Sequence, residues 1–181
     1  MKKTSGVVIF LSMFVFFLAP FAQTEEVSLS TSPATVCFTP GGPCTEDIVQ
    51  AIDGARKSVY VQAYSFTSEP IADALIGAYK RKVRVEALLD KSQEKAPYSL
   101  TSDIADAGIP TYIDKKHAIA HNKVMIIDKG TVITGSFNFT YAAENKNAEN
   151  VLIIKSTDLA KSYLNNYIEH KSHSVKFRPG R

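Results

Sequence analysis

Two side chains able to act together on a phosphate stand with one residue between them, His121 and Lys123 in the string His121-Asn122-Lys123-Val124-Met125-Ile126-Ile127-Asp128. A second string, Gly135-Ser136-Phe137-Asn138, follows closely, and Glu149 comes after it. A phosphodiester is an anion whose transferring phosphoryl group needs charge stabilisation, a nucleophile and a proton for the leaving oxygen. Lys123 offers the positive charge, Ser136 and Asn138 neutral hydrogen bonds, and His121 a nucleophilic imidazole. Glu149 is a candidate to hold the imidazole in one tautomer, as carboxylates do for catalytic histidines. Taken singly, His-x-Lys and Gly-Ser-x-Asn are short strings that match freely. Their joint occurrence carries the reading.

These groups must be positioned by a hairpin. On a strand, positions two apart share a face, so His121 and Lys123 point the same way, as do Ser136 and Asn138. If Lys129-Gly130 is a two-residue loop, Asp128 opposes Thr131, Lys123 faces Ser136, and His121 faces Asn138. A three-residue loop ending in a glycine bulge would shift the pairing by one and scatter the four. The same counting puts Asp128 on the other face of its strand. Its expected role is to fix the turn or support the site.

Around the hairpin, Val36 to Phe38 reads as a short strand ended by Pro40-Gly41-Gly42. Thr45 can cap a helix running to about Arg56, with Glu46 and Asp47 where the helix dipole favours acids. Ser58 to Phe66 alternates like a buried strand, Pro70 fits the first turn of a helix reaching Lys80, and Val83 to Leu89 is a further strand. Two strands joined by a helix imply a parallel pair. A helix over Leu100–Ala107 stops at Gly108 and precedes a strand at Thr111–Ile113. Val124–Ile127, Thr131–Thr134 and Asn150–Ile154 complete the strands. Ser156 or Thr157 can cap a last helix carrying Leu159, Tyr163, Leu164, Tyr167 and Ile168. The expected architecture is α/β: one domain over residues 23–181, a mixed central sheet with helices on both faces.

The N-terminus reads as an export signal: Lys2 and Lys3, an apolar run from Val7 to Leu18, and a small-residue end at Ala19-Pro20-Phe21-Ala22. Cleavage after Ala22 would remove two lysines and no acid, lowering the net charge from +3 to +1. The apolar run is shorter than the roughly 20 residues of a spanning helix, which makes an uncleaved anchor the lesser alternative, and no stable membrane association is expected after cleavage. The expected location is the periplasm or the medium. Bulk charge does not announce a polyanion partner. Local clusters occur at Lys80-Arg81-Lys82, at Lys115-Lys116-His117, and along the tail through Lys171, Lys176, Arg178 and Arg181. Cys37 and Cys44 are the only cysteines, and in an exported chain an even count suggests a disulfide; two buried thiols are the alternative. No cluster of acids or histidines has ligand spacing. His117 and His121 lie four apart, which does not bring them together on a strand or loop.

His121-x-Lys123-x4-Asp128, followed by Gly135-Ser136-x-Asn138 and Glu149, resembles the signature of the phospholipase D superfamily, and in particular its small single-motif, Nuc-like bacterial endonucleases. Phe38-Thr39-Pro40-Gly41 and Ala63-Tyr64-Ser65-Phe66-Thr67 extend the likeness along the chain. The resemblance implies a phospholipase D-like sandwich and hydrolysis of DNA, or also RNA, through a phosphohistidine on His121. Lys123 and Asn138 would bind phosphate oxygens, Ser136 would support them, Asp128 would complete the motif, and Glu149 would hydrogen-bond His121. It implies no metal and no other cofactor. It also implies a homodimer, which would meet a need of the chemistry: in-line displacement needs an acid opposite the nucleophile, and the chain holds one motif. Two alternatives stay open. A lipid phosphodiesterase would show an apolar rim, to which Phe137 and Phe139 could contribute. A non-catalytic periplasmic binding domain would turn His121 and Lys123 apart or bury them in salt bridges.

Overall fold

A computed structural model describes residues 26–179, and the expected leader at residues 1–22 lies outside them. The elements in chain order are β1 (Ala34–Thr39), α1 (Cys44–Asp53), β2 (Ser58–Ala63), α2 (Glu69–Lys80), β3 (Arg84–Asp90), α3 (Thr101–Asp106), β4 (Thr111–Asp114), β5 (Lys123–Ile127), β6 (Thr131–Gly135), α4 (Tyr141–Asn145), β7 (Glu149–Lys155), α5 (Thr157–Ser172) and β8 (Val175–Lys176). They form one eight-stranded sheet in the order β1-β7-β6-β5-β2-β3-β4-β8. The β2–β3 and β3–β4 pairs are parallel and the rest antiparallel, so the sheet is mixed. No helix among the described residues is long and apolar enough to cross a membrane.

Alternation along the central strands feeds two cores. Val59, Val61, Val85, Leu89, Met125 and Ile127 pack toward α1, α2 and α3. Tyr60, Leu88, Val124, Ile126 and Val132 pack toward α5, whose Tyr167 is buried among them. Every residue of β2 is buried, as expected of a strand covered on both sides. Under α5, Tyr167 donates to Glu86 Oε2 at 3.2 Å and lies 5.2 Å from the Tyr60 ring. Burial pushes the Glu86 carboxyl up, but hydrogen bonds from Lys171 and Arg84 outweigh it and hold the group below its ordinary range.

Several local expectations shift. The helix after the first strand begins at Cys44, and Thr45 does not cap it; its N–H and hydroxyl donate instead to Glu144 Oε2, each at 2.8 Å. Pro43 precedes the helix, and Cys44 is bonded to Cys37 as the paired cysteines suggested, which ties β1 to α1. The strand expected over Ser58–Phe66 ends at Ala63. Ser156 caps α5, accepting from Leu159 N at 3.2 Å. The basic tail is partly structural: Lys171 pairs with Glu86, and Lys176 lies on β8 against β4.

The hairpin differs most. Asp128 (φ 52°) and Lys129 (φ 55°), rather than Lys129-Gly130, form the centre of a type I′ turn, closed by Gly130 N–H donating to Ile127 O at 3.0 Å. Ile127 therefore opposes Thr131 across a three-residue loop, one residue out from the expected register. The reason is Asp128. Its carboxylate accepts from the backbone N–H groups of Arg56, Lys57 and Ser58 at 2.9, 2.6 and 2.8 Å, which draws the residue into the turn and locks it against β2.

Burial raises the Asp128 carboxyl pKa, but those three donors outweigh it and the group sits below its ordinary 3.8. A depressed carboxylate adds stability that is complete above the unfolded value and disappears as pH falls through the folded one. Asp128→Ala should therefore cost about 2 kcal/mol near neutral pH, since two of the three bonds are solvent-exposed. Urea unfolding from pH 7 down to 2 should show the gap between variant and wild type closing only below about pH 4.

Candidate active site

Lys123, the first residue of β5, is 8% exposed and donates through Nζ to the carbonyl of His121 at 2.8 Å. Its ammonium lies 5.2 Å over the Tyr64 ring. Burial lowers its pKa and Glu149 pushes back, with burial prevailing. No carboxylate among the described residues forms a salt bridge with it, so its charge remains available to an anion. His121 lies two residues before the start of β5 and is exposed, its ring 4.6 Å from that of Tyr64 and tilted by 55°. Tyr64 N–H donates to Asn122 O at 2.8 Å and holds the segment between the two catalytic candidates. Tyr64 thus packs against both groups. The sequence carried it only as part of Ala63-Tyr64-Ser65-Phe66-Thr67, with no role attached.

Despite the altered register, the four polar side chains meet. An open cavity of about 460 Å³ is lined by His121, Lys123, Gly135, Ser136, Asn138 and Glu149. The expectation that a three-residue loop would scatter them is corrected by the far end of β6. Gly135 opposes Val151, and then both Ser136 N–H and Phe137 N–H donate to the one carbonyl of Asn150, at 3.2 and 3.3 Å. Two residues thus oppose one, a bulge that breaks the strand alternation beyond Gly135. The slip introduced at the turn is undone at the bulge.

Each group arrives with unused capacity. Ser136 Oγ accepts from Asn150 N at 3.1 Å and from Asn150 Nδ2 at 3.2 Å, so its own hydrogen is left to donate. Asn138 Oδ1 is buried with no hydrogen-bond partner, and its Nδ2 is the end able to donate to a phosphate oxygen. Glu149 lines the same cavity, but its Oε1 accepts from Asn147 Nδ2 at 2.9 Å and no hydrogen bond joins it to His121. Asp128 stands at the opposite end of β5 from Lys123 and outside the cavity, a turn anchor as its strand face suggested. Phe137 and Phe139 form no rim: they are 2% and 1% exposed, packed in the larger core. Another cavity of about 350 Å³, between Thr45, Pro70 and Tyr141, offers no imidazole or cation, and its Glu144 is engaged by Thr45.

The fold also overturns the reading that no ligand-like cluster exists. Asp114, His117, His170 and His173 each bring one potential ligand atom within 4.8 Å of the others. The signal was absent from spacing because α5 and β8 return to the loop after β4 from far along the chain.

A family model described as "Cardiolipin synthase, PLD-like domain" matches residues 48–171. The chain is 50% identical over 144 residues to a protein named phospholipase D from Rickettsia conorii, covering 80% of this chain and 72% of that protein. It is 32% identical to a mitochondrial cardiolipin hydrolase of Xenopus laevis, over 82% of this chain and 71% of that one. The crystal structure of Nuc from Salmonella typhimurium, a phospholipase D family member, superposes with a TM-score of 0.78 at 38% identity, covering 81% of this chain and 99% of that one.

Proposed function

The chain belongs to the phospholipase D superfamily and is a phosphodiesterase, and on that premise we propose that it is an exported endonuclease that cuts DNA, and also RNA, without sequence preference. The observation that carries the chemistry is the single cavity shared by His121, Lys123, Ser136, Asn138 and Glu149. His121 attacks phosphorus, forming a P–N bond as the bond to the leaving oxygen breaks. Lys123, Asn138 and the Ser136 hydroxyl bind the non-bridging oxygens. Glu149 lines the same cavity, offsets the Lys123 charge there, and is the carboxylate available to orient the imidazole. Water then opens the phosphohistidine to a phosphomonoester. No metal takes part in these steps.

The leaving oxygen needs a proton from the side opposite His121. A two-fold dimer supplies it, because an isologous interface brings the same residue from both subunits to the axis. One His121 attacks unprotonated, and its twin donates a proton and recovers one from the attacking water. The pair titrates together, giving a bell-shaped rate profile whose two apparent pKa values belong to both.

Nucleic acid is favoured over lipid by the likeness to the Nuc fold and by the inward turn of Phe137 and Phe139, which leaves these aromatics unable to meet a bilayer. Exposed Lys176 and Arg178 are available to track phosphates. The names of the Rickettsia and Xenopus relatives favour the second reading, a lipid phosphodiesterase. Incubation with plasmid DNA and, separately, with phosphatidylcholine or cardiolipin vesicles, all in EDTA, separates the two. The expected result is DNA cleavage with lipid untouched. With about three phosphate contacts, DNA affinity should fall roughly 40-fold between 50 and 200 mM salt. Lipid turnover without DNA cleavage would reverse the assignment.

A further inference from the structure

Asp114 ends β4, fully buried. Its Oδ1 accepts from the backbone N–H groups of Lys116 and His117 at 3.0 and 3.2 Å, which turns Oδ2 toward three imidazoles. His117 Nδ1 lies 2.8 Å from Oδ2, His173 Nε2 3.4 Å, and His170 Nδ1 3.5 Å. The rings themselves crowd together, His117 stacked on His170 at 4.7 Å and edge-on to His173 at 5.1 Å. Hydrogen bonding alone does not account for this. One carboxylate oxygen has two lone-pair sites, and three ring nitrogens converge on it. The surplus falls on His170: its Nδ1 is buried and out of alignment for any hydrogen bond, despite the 3.5 Å approach.

A cation satisfies all four groups at once. In a tetrahedral zinc site with bonds near 2.0–2.2 Å, neighbouring ligand atoms stand about 3.3 Å apart. The three distances to Oδ2 bracket that value, and all four ligand atoms lie within 4.8 Å of one another. We propose that Asp114, His117, His170 and His173 bind one divalent transition-metal ion, zinc by the tetrahedral three-nitrogen, one-oxygen donor set. Four protein ligands, one of them a buried carboxylate, make a closed, structural site. The two backbone donors that orient Asp114 are the outer-shell support that such a ligand needs.

The location gives the ion a purpose. His170 is in the last turn of α5 and His173 just beyond it, while His117 belongs to the loop from β4 that leads into His121. That loop is otherwise held by Lys91 Nζ donating to His117 O at 3.1 Å and by Ala120 N–H donating to Asp90 Oδ2 at 2.7 Å. The metal would join the end of α5 to this loop. It is separate from the phosphate cavity, whose lining includes none of the four ligands, so metal-free chemistry at His121 and a structural ion coexist.

The test uses untagged full-length protein, stripped with a strong chelator and titrated with Zn²⁺ against a chromophoric competitor. The expected result is one zinc per chain with sub-micromolar affinity. His170→Ala and His173→Ala should each weaken binding by at least about 100-fold, given that even outer-shell losses cost 10–100-fold. Zinc at 1,000 times its dissociation constant should raise the wild-type Tm by about 10 °C. Co²⁺-loaded wild-type protein should give the intense visible bands of a tetrahedral site, a reading that needs no variant to fold. Absence of stoichiometric zinc binding, a six-coordinate cobalt spectrum, or unchanged affinity in both variants would each overturn the proposal. None of these readouts depends on nuclease activity, so they stand apart from the substrate assignment.

Discussion

Replacing His121 by alanine should lower kcat/KM on DNA by at least about 10⁴-fold while leaving the melting temperature within a degree or two. The size of the loss follows from the double duty proposed for the residue. In a two-fold dimer the substitution deletes the nucleophile from one subunit and the general acid from the other, and groups that act as a unit are not partly replaceable. The stability expectation follows from its surroundings: the ring is exposed, touches mainly Tyr64, and makes no hydrogen bond to a described residue. Exposed substitutions of this kind usually stay within about 0.5 kcal/mol. Mixing an excess of His121→Ala chains with wild type gives the sharper reading. Mixed dimers should be inactive, so activity should fall faster than the wild-type fraction as subunits exchange. Turnover retained by the pure variant, or activity that simply follows the wild-type fraction through the mixing series, would remove His121 or its twin from the mechanism.

Gly135→Ala should be damaging for a different reason. The residue has φ of 150°, a region L side chains rarely adopt, and an added Cβ would collide with the carbonyl oxygen of Asn150 and meet its carbon at 3.0 Å. That carbonyl is the acceptor shared by Ser136 and Phe137, so relief of the clash must open the bulge itself. Strain and a lost hydrogen bond together should cost about 3 kcal/mol, read by urea unfolding. The folded fraction should also lose activity, because Ser136 and Asn138 would no longer be returned to the side of Lys123. A hundredfold fall in kcat at saturating DNA, with a smaller change in KM, is the expected signature. An alanine variant with wild-type stability would show that β7 yields freely at this position and that the bulge does not set the site.

Much of the site was legible because its residues are close in sequence and strand parity is a local property. Strand parity put His121 and Lys123 on one side of the chain, and Ser136 and Asn138 lie close enough in sequence for a two-residue hairpin loop to bring them opposite. The elements were legible for the same reason: buried strands with period two, Pro70 at a helix start, Ser156 at a cap. The register was not. It depends on which residues take the left-handed conformations of the turn, and Asp128 was drawn there by three N–H groups from a strand beginning that lies far upstream. Nor was the inward turn of Phe137 and Phe139, which follows from the bulge, or the support of His121 by Tyr64.

By itself, then, the sequence determined the chemistry this chain can perform and the class of fold that must present it, since side-chain identity, short spacing and hydrophobic period are written locally. Only the tertiary structure decided how the pieces register: a one-residue slip at Asp128 cancelled at Gly135, and a carboxylate from β4 met by imidazoles from its own loop and from α5. The physical reason is that these outcomes turn on contacts between segments distant along the chain, whose geometry is set by the packing of both faces of the sheet at once.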